Sequence, residues 1–303
     1  MHSHFGHHGW ANLDVVQKLG LKHVVTFYGF DVNQLPQQNS RWRLRYQSLF
    51  KEVNFVLCEG PHMAQCLVTL GCPSHKAKVH HLGIRLEQFP FQPREWCPTE
   101  PLKVLIAASF REKKGIPDAI AALGCLHQTT PLEITIIGDA GSDKASQKEK
   151  RRYFQISSSN MSDPNIHGLS TPCCVLEQAY RHHLFISPSV TASDGDTEGG
   201  APVSIIEAAA TGMPVVATRH CDIPEVLSCY PADLLAPEGN IDELLRILRL
   251  WTGHPQEWAD ILRPQRTYIE AEYDAKIQAA RLAEVYIQVM NKTSGTATEV
   301  SGC

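Results

Sequence analysis

The stretch ISPSVTASDGDTEGGAPVSIIEAAATGMPVVATRHCDIPE, residues 186–225, decides the fold. It reads as the end of a strand at Ser187, a loop rich in Gly, Asp and Glu, a helix from Pro202 or Val203 to Gly212, and a second strand over 214–217. Strand, loop, helix and strand in that order form one unit of a parallel sheet with crossover helices. A Gly-rich loop feeding a helix start also exposes unpaired backbone N–H groups at the positive end of the helix dipole, a cradle suited to a diphosphate. Two acids bracket it, Glu198 in the loop and Glu207 in the helix, and Gly199, Gly200 and Ala201 are small enough to let a ligand approach. A carboxylate can accept bonds from neighbouring hydroxyls, so these acids suit ribose on one side and a sugar on the other. Pro202, Val203 and Ser204 complete the helix start.

The same alternation extends through the chain. Residues 23–27, 55–58 and 78–81 read as strands in the first third, and 102–107, 132–137 and 184–187 in the rest, with helices over 116–126, 175–182, 203–211 and 241–251. The segment 89–101, FPFQPREWCPTEP, carries four prolines and cannot be helical, so the domain linker is placed there. The expected organisation is a partial first domain over 1–95, a second domain over 96–275, and a C-terminal helix with a disordered tail over 276–303. At 303 residues with 43% apolar and 20% charged residues, two domains of ordinary size are affordable.

Composition excludes several classes. The net charge of -4 and the scattered cations offer no field for a nucleic-acid backbone. The ten cysteines never fall into a Cys-x-x-Cys pair and read as free thiols of a reducing compartment. No apolar run approaches the roughly 18 residues of a membrane span. His2, His4, His7 and His8 could be taken for a zinc cluster, but no carboxylate or cysteine completes the set at a close spacing, so no metal is expected. A soluble, cytoplasmic protein is expected, with room for peripheral contact at the inner face of a membrane.

The segments SPS, EGG, Glu207-Ala208, 212–218 (GMPVVAT) and Pro224-Glu225 together resemble the E-x7-E donor signature of family 4 glycosyltransferases, which are retaining enzymes of the GT-B fold. Eight residues separate Glu198 from Glu207, one more than in that signature. The resemblance implies two Rossmann-like, doubly wound α/β domains facing a cleft. It also implies a UDP- or GDP-type nucleotide-sugar as substrate, no cofactor, and a saccharide or lipid-linked glycan as acceptor, in the manner of the branch that builds exopolysaccharide and lipopolysaccharide. Upstream, AASFREKKG (107–115) aligns with the segment whose cations neutralise the leaving diphosphate. Lys114 matches the family lysine, Ala108 or Ser109 stands where an arginine is usual, and Arg111 is the substitute from the same loop. Ile166, His167 and Gly168 resemble the segment that holds the base through its backbone. The opening HSHFGHHGW with TFYGFDV resembles the acceptor half, placing His4 at the cleft and Tyr28 near the donor sugar.

The family's usual opening strand and Gly-rich loop are not found ahead of HSHFG. The first domain is therefore expected to lack central strands and to leave faces of its sheet uncovered. A GT-B epimerase and a non-catalytic nucleotide-sugar-binding protein are the rival readings.

Overall fold

The computed structural model describes residues 1–138, 144, 146–151, 165–167 and 172–291, with the backbone alone at 165–167 and 172–174. The chain forms two parallel sheets. The first has the order β1-β2-β3-β4, from His2–His4, Val24–Thr26, Phe55–Cys58 and Ala77–Val79. The second has the order β10-β9-β8-β5-β6-β7. Its strands are β5 (Leu102–Ala107), β6 (Leu132–Ile137), β7 (Asn165–His167), β8 (Leu184–Ser187), β9 (Val215–Thr218) and β10 (Leu235–Ala236). Parallel strands covered by helices on both faces bury both sides, which is why β8 and β9 read as unbroken apolar runs.

Helices Ile116–His127 and Ile241–Gly253 pack together against the second sheet, and Val203–Thr211 lies with Trp258–Glu272. Val203–Thr211 stops at Gly212, whose φ of 81° is the left-handed cap that glycine accepts without a Cβ penalty. Asn240 caps the helix Ile241–Gly253, its side chain accepting from the Glu243 amide. The strands expected at 55–58, 102–107, 132–137 and 184–187 hold as read, and those at 23–27, 78–81 and 214–217 differ by one or two residues. Elements not foreseen include β1, β7 and β10, the π-helical turn Phe30–Gln34, and the helices Gly6–Ala11, Leu13–Lys18, Arg41–Glu52 and Pro61–Thr69 of the first domain.

Residues 89–101 contain no regular element, as their prolines require, and they are fastened to the second domain. The buried guanidinium of Arg94 donates to the carbonyls of Gln92, His182, Ala179 and Thr211. Trp96 stacks on Trp258 with ring centroids 6.5 Å apart.

The chain crosses between the sheets a second time at its end. Ile84 donates to Tyr273 O at 2.8 Å and Ala275 donates to Ile84 O at 2.9 Å, a short parallel bridge that brings Gly83 flush against Ala275. Helix Ala275–Asn291 then returns to the first sheet. Leu282, Val285, Tyr286 and Val289 recur at helical spacing and cover Val24, Phe55 and Leu57, so a face of the sheet expected to be bare is buried. Residues 292–303, expected as the tail, lie outside the described residues. Among the described residues no helix is long and apolar enough to cross a membrane.

Candidate active site at the interdomain cleft

The loop after β8 and the turn after β5 meet through charge. Lys114 Nζ donates to Glu198 Oε2 at 2.9 Å, and Ser189 Oγ donates to Glu198 Oε1 at 2.9 Å. The Glu198 side chain is only 6% exposed, so both its oxygens are engaged within the protein. Arg111 Nη2 donates to Asp196 Oδ2 at 2.7 Å, while Lys113 Nζ reaches Asp196 Oδ1 at 3.2 Å and Thr197 O at 2.7 Å. Three cations and two acids thus form one network, with Arg111 half in solvent. Lys113 and Asp196 were not singled out from the sequence, where they look like ordinary solvated charges, and Ser189 was noted only as the end of the SPS segment.

A histidine relay holds this loop in place. Buried His220 accepts the Glu198 N–H on Nε2 at 3.1 Å, which leaves its proton on Nδ1 for Glu238 Oε1 at 2.7 Å. Glu238 also accepts the Thr191 N–H at 2.7 Å. Gly115, at φ 60°, brings the cationic turn against Pro188; a Cβ there would lie 2.0 Å from Pro188 O.

Glu207 is placed differently. It is half-buried, makes no hydrogen bond or ion pair among the described residues, and faces a cavity of about 720 Å³ with Ser204, Ala107, Arg85 and Gln88. Burial raises the carboxyl above the usual carboxylate range. A half-buried acid without a protein partner is costly unless a ligand supplies donors. The first turn of helix Val203–Thr211 has no side-chain cap, and exposed Val203 marks its open end. Ala201 and Pro202 pack beneath as supports.

Gly199 and Gly200 pack against the opposite domain. A Cβ on Gly199 would lie 2.1 Å from Gly29 Cα, and one on Gly200 would lie 2.2 Å from Glu59 Oε2. Their smallness lets the first domain close on the donor loop. Asn33 Nδ2 donates to Thr197 Oγ1 at 2.7 Å across the same gap. Asp222 accepts from the His62 and Met63 amides at 2.7 and 3.4 Å, capping helix Pro61–Thr69 of the opposite domain. Glu59, pushed up to about 7 by burial with Asp222, Asp31 and Glu198 adding repulsion, completes the floor.

His4 Nδ1 and the Tyr28 hydroxyl are 2.7 Å apart, next to Gly29. His2 is taken up by Tyr286 and Thr26, at 2.7 and 2.8 Å. Among the described residues no group of three or more His, Cys, Asp or Glu is arranged to hold a metal ion. Ser109 is exposed at the end of β5 and joins none of these contacts. Ile166 and His167 lie on β7, beside Ile136 and Ile137 of β6. Gly168 lies outside the described residues.

Residues 101–252 match the family described as Glycosyl transferases group 1. The chain belongs to this family. Its relatives include the amylovoran biosynthesis glycosyltransferase AmsK of Erwinia amylovora, 31% identical over 288 residues, covering 93% of this chain and 68% of that one. The putative colanic acid biosynthesis glycosyltransferase WcaL of Escherichia coli is 28% identical over 292 residues, covering 93% and 69%. Among solved structures, sucrose-phosphate synthase from Thermosynechococcus elongatus superposes with a TM-score of 0.77 at 16% identity, over 96% of this chain and 73% of that one. Anabaena HepE in complex with UDP-glucose gives 0.73 at 16% identity, over 92% and 76%. The architecture is therefore GT-B, and the group 1 glycosyltransferase match spans the network, the uncapped helix and Glu207.

Proposed function

We propose that this group 1 glycosyltransferase moves a sugar from a UDP- or GDP-type donor to a saccharide or lipid-linked glycan with retention of configuration, in cell-surface polysaccharide synthesis. The observation that carries the proposal is Glu207, a half-buried carboxylate with no protein partner beside an uncapped helix start and a cavity of about 720 Å³. In this reading Glu207 accepts the ribose hydroxyls, the helix start and Lys114 receive the diphosphate, and the backbone at Ile166 and His167 flanks the base. Support comes from HepE, which binds UDP and UDP-glucose, and from the relatives named for amylovoran and colanic acid synthesis.

The chemistry asked of the protein is orientation and charge neutralisation. The bond from the sugar C1 to the diphosphate oxygen breaks, the bond from C1 to the acceptor oxygen forms on the same face, and the acceptor proton passes to the departing phosphate oxygen. Glu198 acts as the anchor that aims Lys114 at that oxygen. Arg111 adds positive charge from the exposed rim, and His4 with Tyr28 lines the acceptor side. No metal is assigned a part. Contact with the inner face of a membrane belongs to the same proposal, through a lipid-linked acceptor.

Calorimetric titration of UDP, GDP and ADP, followed by mass spectrometry of products from the sugar of the best-bound nucleotide, tests the reading. Micromolar binding of one nucleotide and a mass increase of one hexose on an oligosaccharide acceptor are expected. Absence of binding to all three would remove it.

A further inference from the structure

The first domain carries a surface that the donor site does not use. From the cleft outward, His4 stacks on Tyr28 at 6.1 Å between ring centroids, Tyr28 meets Phe5 at 4.7 Å, and Phe5 meets His7 at 5.6 Å. His7 lies edge-on to Phe30 at 6.2 Å and to Trp42 at 6.1 Å. Trp42 and Trp10 are 5.8 Å apart, and the guanidinium of Arg45 rests 4.5 Å from each indole. These rings are no hidden core: His4, Phe5 and Phe30 are exposed, and Tyr28, His7, Trp10, Trp42 and Arg45 are half-buried. Phe5 holds its position at φ 67°, a left-handed backbone that a bulky residue rarely adopts. His7 Nδ1 is shielded from solvent and has no hydrogen-bond partner.

The exposed charge along this strip is positive, while buried Asp31 lies beneath it and accepts from the Gly6 and Tyr28 amides. Residues 1–13 contain no acid, and residues 32–51 contain Arg41, Arg43, Arg45 and Lys51 and no acid, in a chain whose net charge is -4. No carboxylate among the described residues lies within ion-pair distance of Arg41, Arg43 or Arg45. Arg41 and Arg45 are one helical turn apart on Arg41–Glu52. The aromatic faces suit the C–H faces of pyranose rings, and a guanidinium held between two indoles keeps its N–H fork free for a carboxylate.

We propose that the strip from His4 and Tyr28 to Trp42 and Trp10 holds the acceptor saccharide, and that Arg45, with Arg41 beside it, reads an acidic group on that saccharide, a uronate carboxylate. A uronate one or more residues from the accepting hydroxyl meets Arg45 while that hydroxyl lies at His4 and Tyr28. The contiguity of the rings with the cleft favours a saccharide over a lipid surface, because a membrane contact needs no track into the donor site. The word acceptor rests on the transferase reading; the binding itself does not.

Of the five tryptophans, Trp96, Trp251 and Trp258 are buried at 8%, 3% and 1% exposure, so a ligand on the strip perturbs Trp10 and Trp42 selectively. Intrinsic fluorescence of the full chain is titrated with a tetrasaccharide alternating glucuronate and N-acetylglucosamine, with neutral cellotetraose, and with vesicles rich in anionic phospholipid. Expected is a saturable change with the acidic tetrasaccharide at an affinity about tenfold or more above the neutral one, weakening as salt is raised. Arg45→Gln should abolish that preference, and Arg45→Lys, which keeps the charge and loses the fork, should fall between. A wild type that does not distinguish the two tetrasaccharides, or that responds to vesicles alone, overturns the proposal. UDP titrated against the same samples separates the causes. Loss of UDP binding by a variant marks misfolding and makes Arg45→Lys the deciding variant. Acidic-sugar binding by a wild type that ignores UDP would leave the strip standing and remove the transferase reading.

Discussion

Replacing Glu207 by Gln separates a ligand-binding carboxylate from one kept for stability. The side chain is half-buried, has no partner among the described residues and faces the cavity with Ser204, so nothing in the protein loses a bond when its charge is removed. If its task is to accept ribose hydroxyls, the neutral amide forfeits a charge-assisted hydrogen bond worth about 1.5–3 kcal/mol, or roughly ten- to a hundred-and-fifty-fold in nucleotide affinity. The unliganded fold should move in the opposite direction. Burial raises the carboxyl in the folded state, so its contribution is most favourable below its unfolded value and is lost as pH rises through the raised one. At neutral pH the charged group therefore destabilises, and Glu207→Gln should melt at an equal or higher temperature than wild type. Calorimetric titration of UDP or GDP measures the first effect and thermal denaturation without ligand the second. Unchanged affinity, or a fall in both affinity and melting temperature, would refute the reasoning, since the first takes Glu207 out of the site and the second makes it structural.

Lys114→Ala should weaken UDP much more than uridine, because only the diphosphate carries the charge that is neutralised; equal losses in parallel titrations would point to collapse of the Glu198 network instead. Gly199→Ala places a Cβ 2.1 Å from Gly29 Cα at φ 80°, so small-angle scattering should show the domains parted and turnover should fall sharply; an unaltered scattering curve would contradict closure through these glycines. Burial lowers His2 and His23 to about 4, so each is neutral in the fold, and stability should decline as pH drops from about 6.5 toward 4, with His23→Gln flattening that dependence in denaturation midpoints. Deleting residues 275–303 uncovers Val24, Phe55 and Leu57 and should render residues 1–80 protease-sensitive while nucleotide binding persists; a fully protected first sheet would show that the helix is dispensable.

The second sheet was legible because β8 and β9 are buried along their whole length, and β5 and β6 are largely apolar and β-branched, interrupted only by Lys103, Glu133 and Thr135. β1 was not, since HSH at a sheet edge carries polar side chains that bond Tyr286, Thr26 and Tyr28 instead of a core. β10, at two residues, is too short to signal. At the site, Glu207 was expected from the loop and helix that carry it and Lys114 from the family resemblance; they lie in the helix Val203–Thr211 and in the turn after β5. The closure of Gly29 on Gly199 and the cap given by Asp222 to helix Pro61–Thr69 join segments about 160 residues apart, which no local pattern encodes. For the same reason the destination of helix Ala275–Asn291 could not be inferred: its apolar stripe announces that something is covered, and only the bridge from Ile84 to Asp274 says what.

Retaining sugar transfer is tested most directly by the anomeric configuration of the first product. The wild-type chain is incubated with the nucleotide-sugar whose nucleotide binds best and with an oligosaccharide acceptor. The newly formed glycosidic linkage, which as an acetal does not mutarotate, is then read by proton NMR. An α-linked donor should give an α-linked product, with one nucleoside diphosphate released per sugar transferred and no loss on addition of EDTA. A β-linked product, or activity that vanishes with chelator and returns with a divalent cation, would contradict the account.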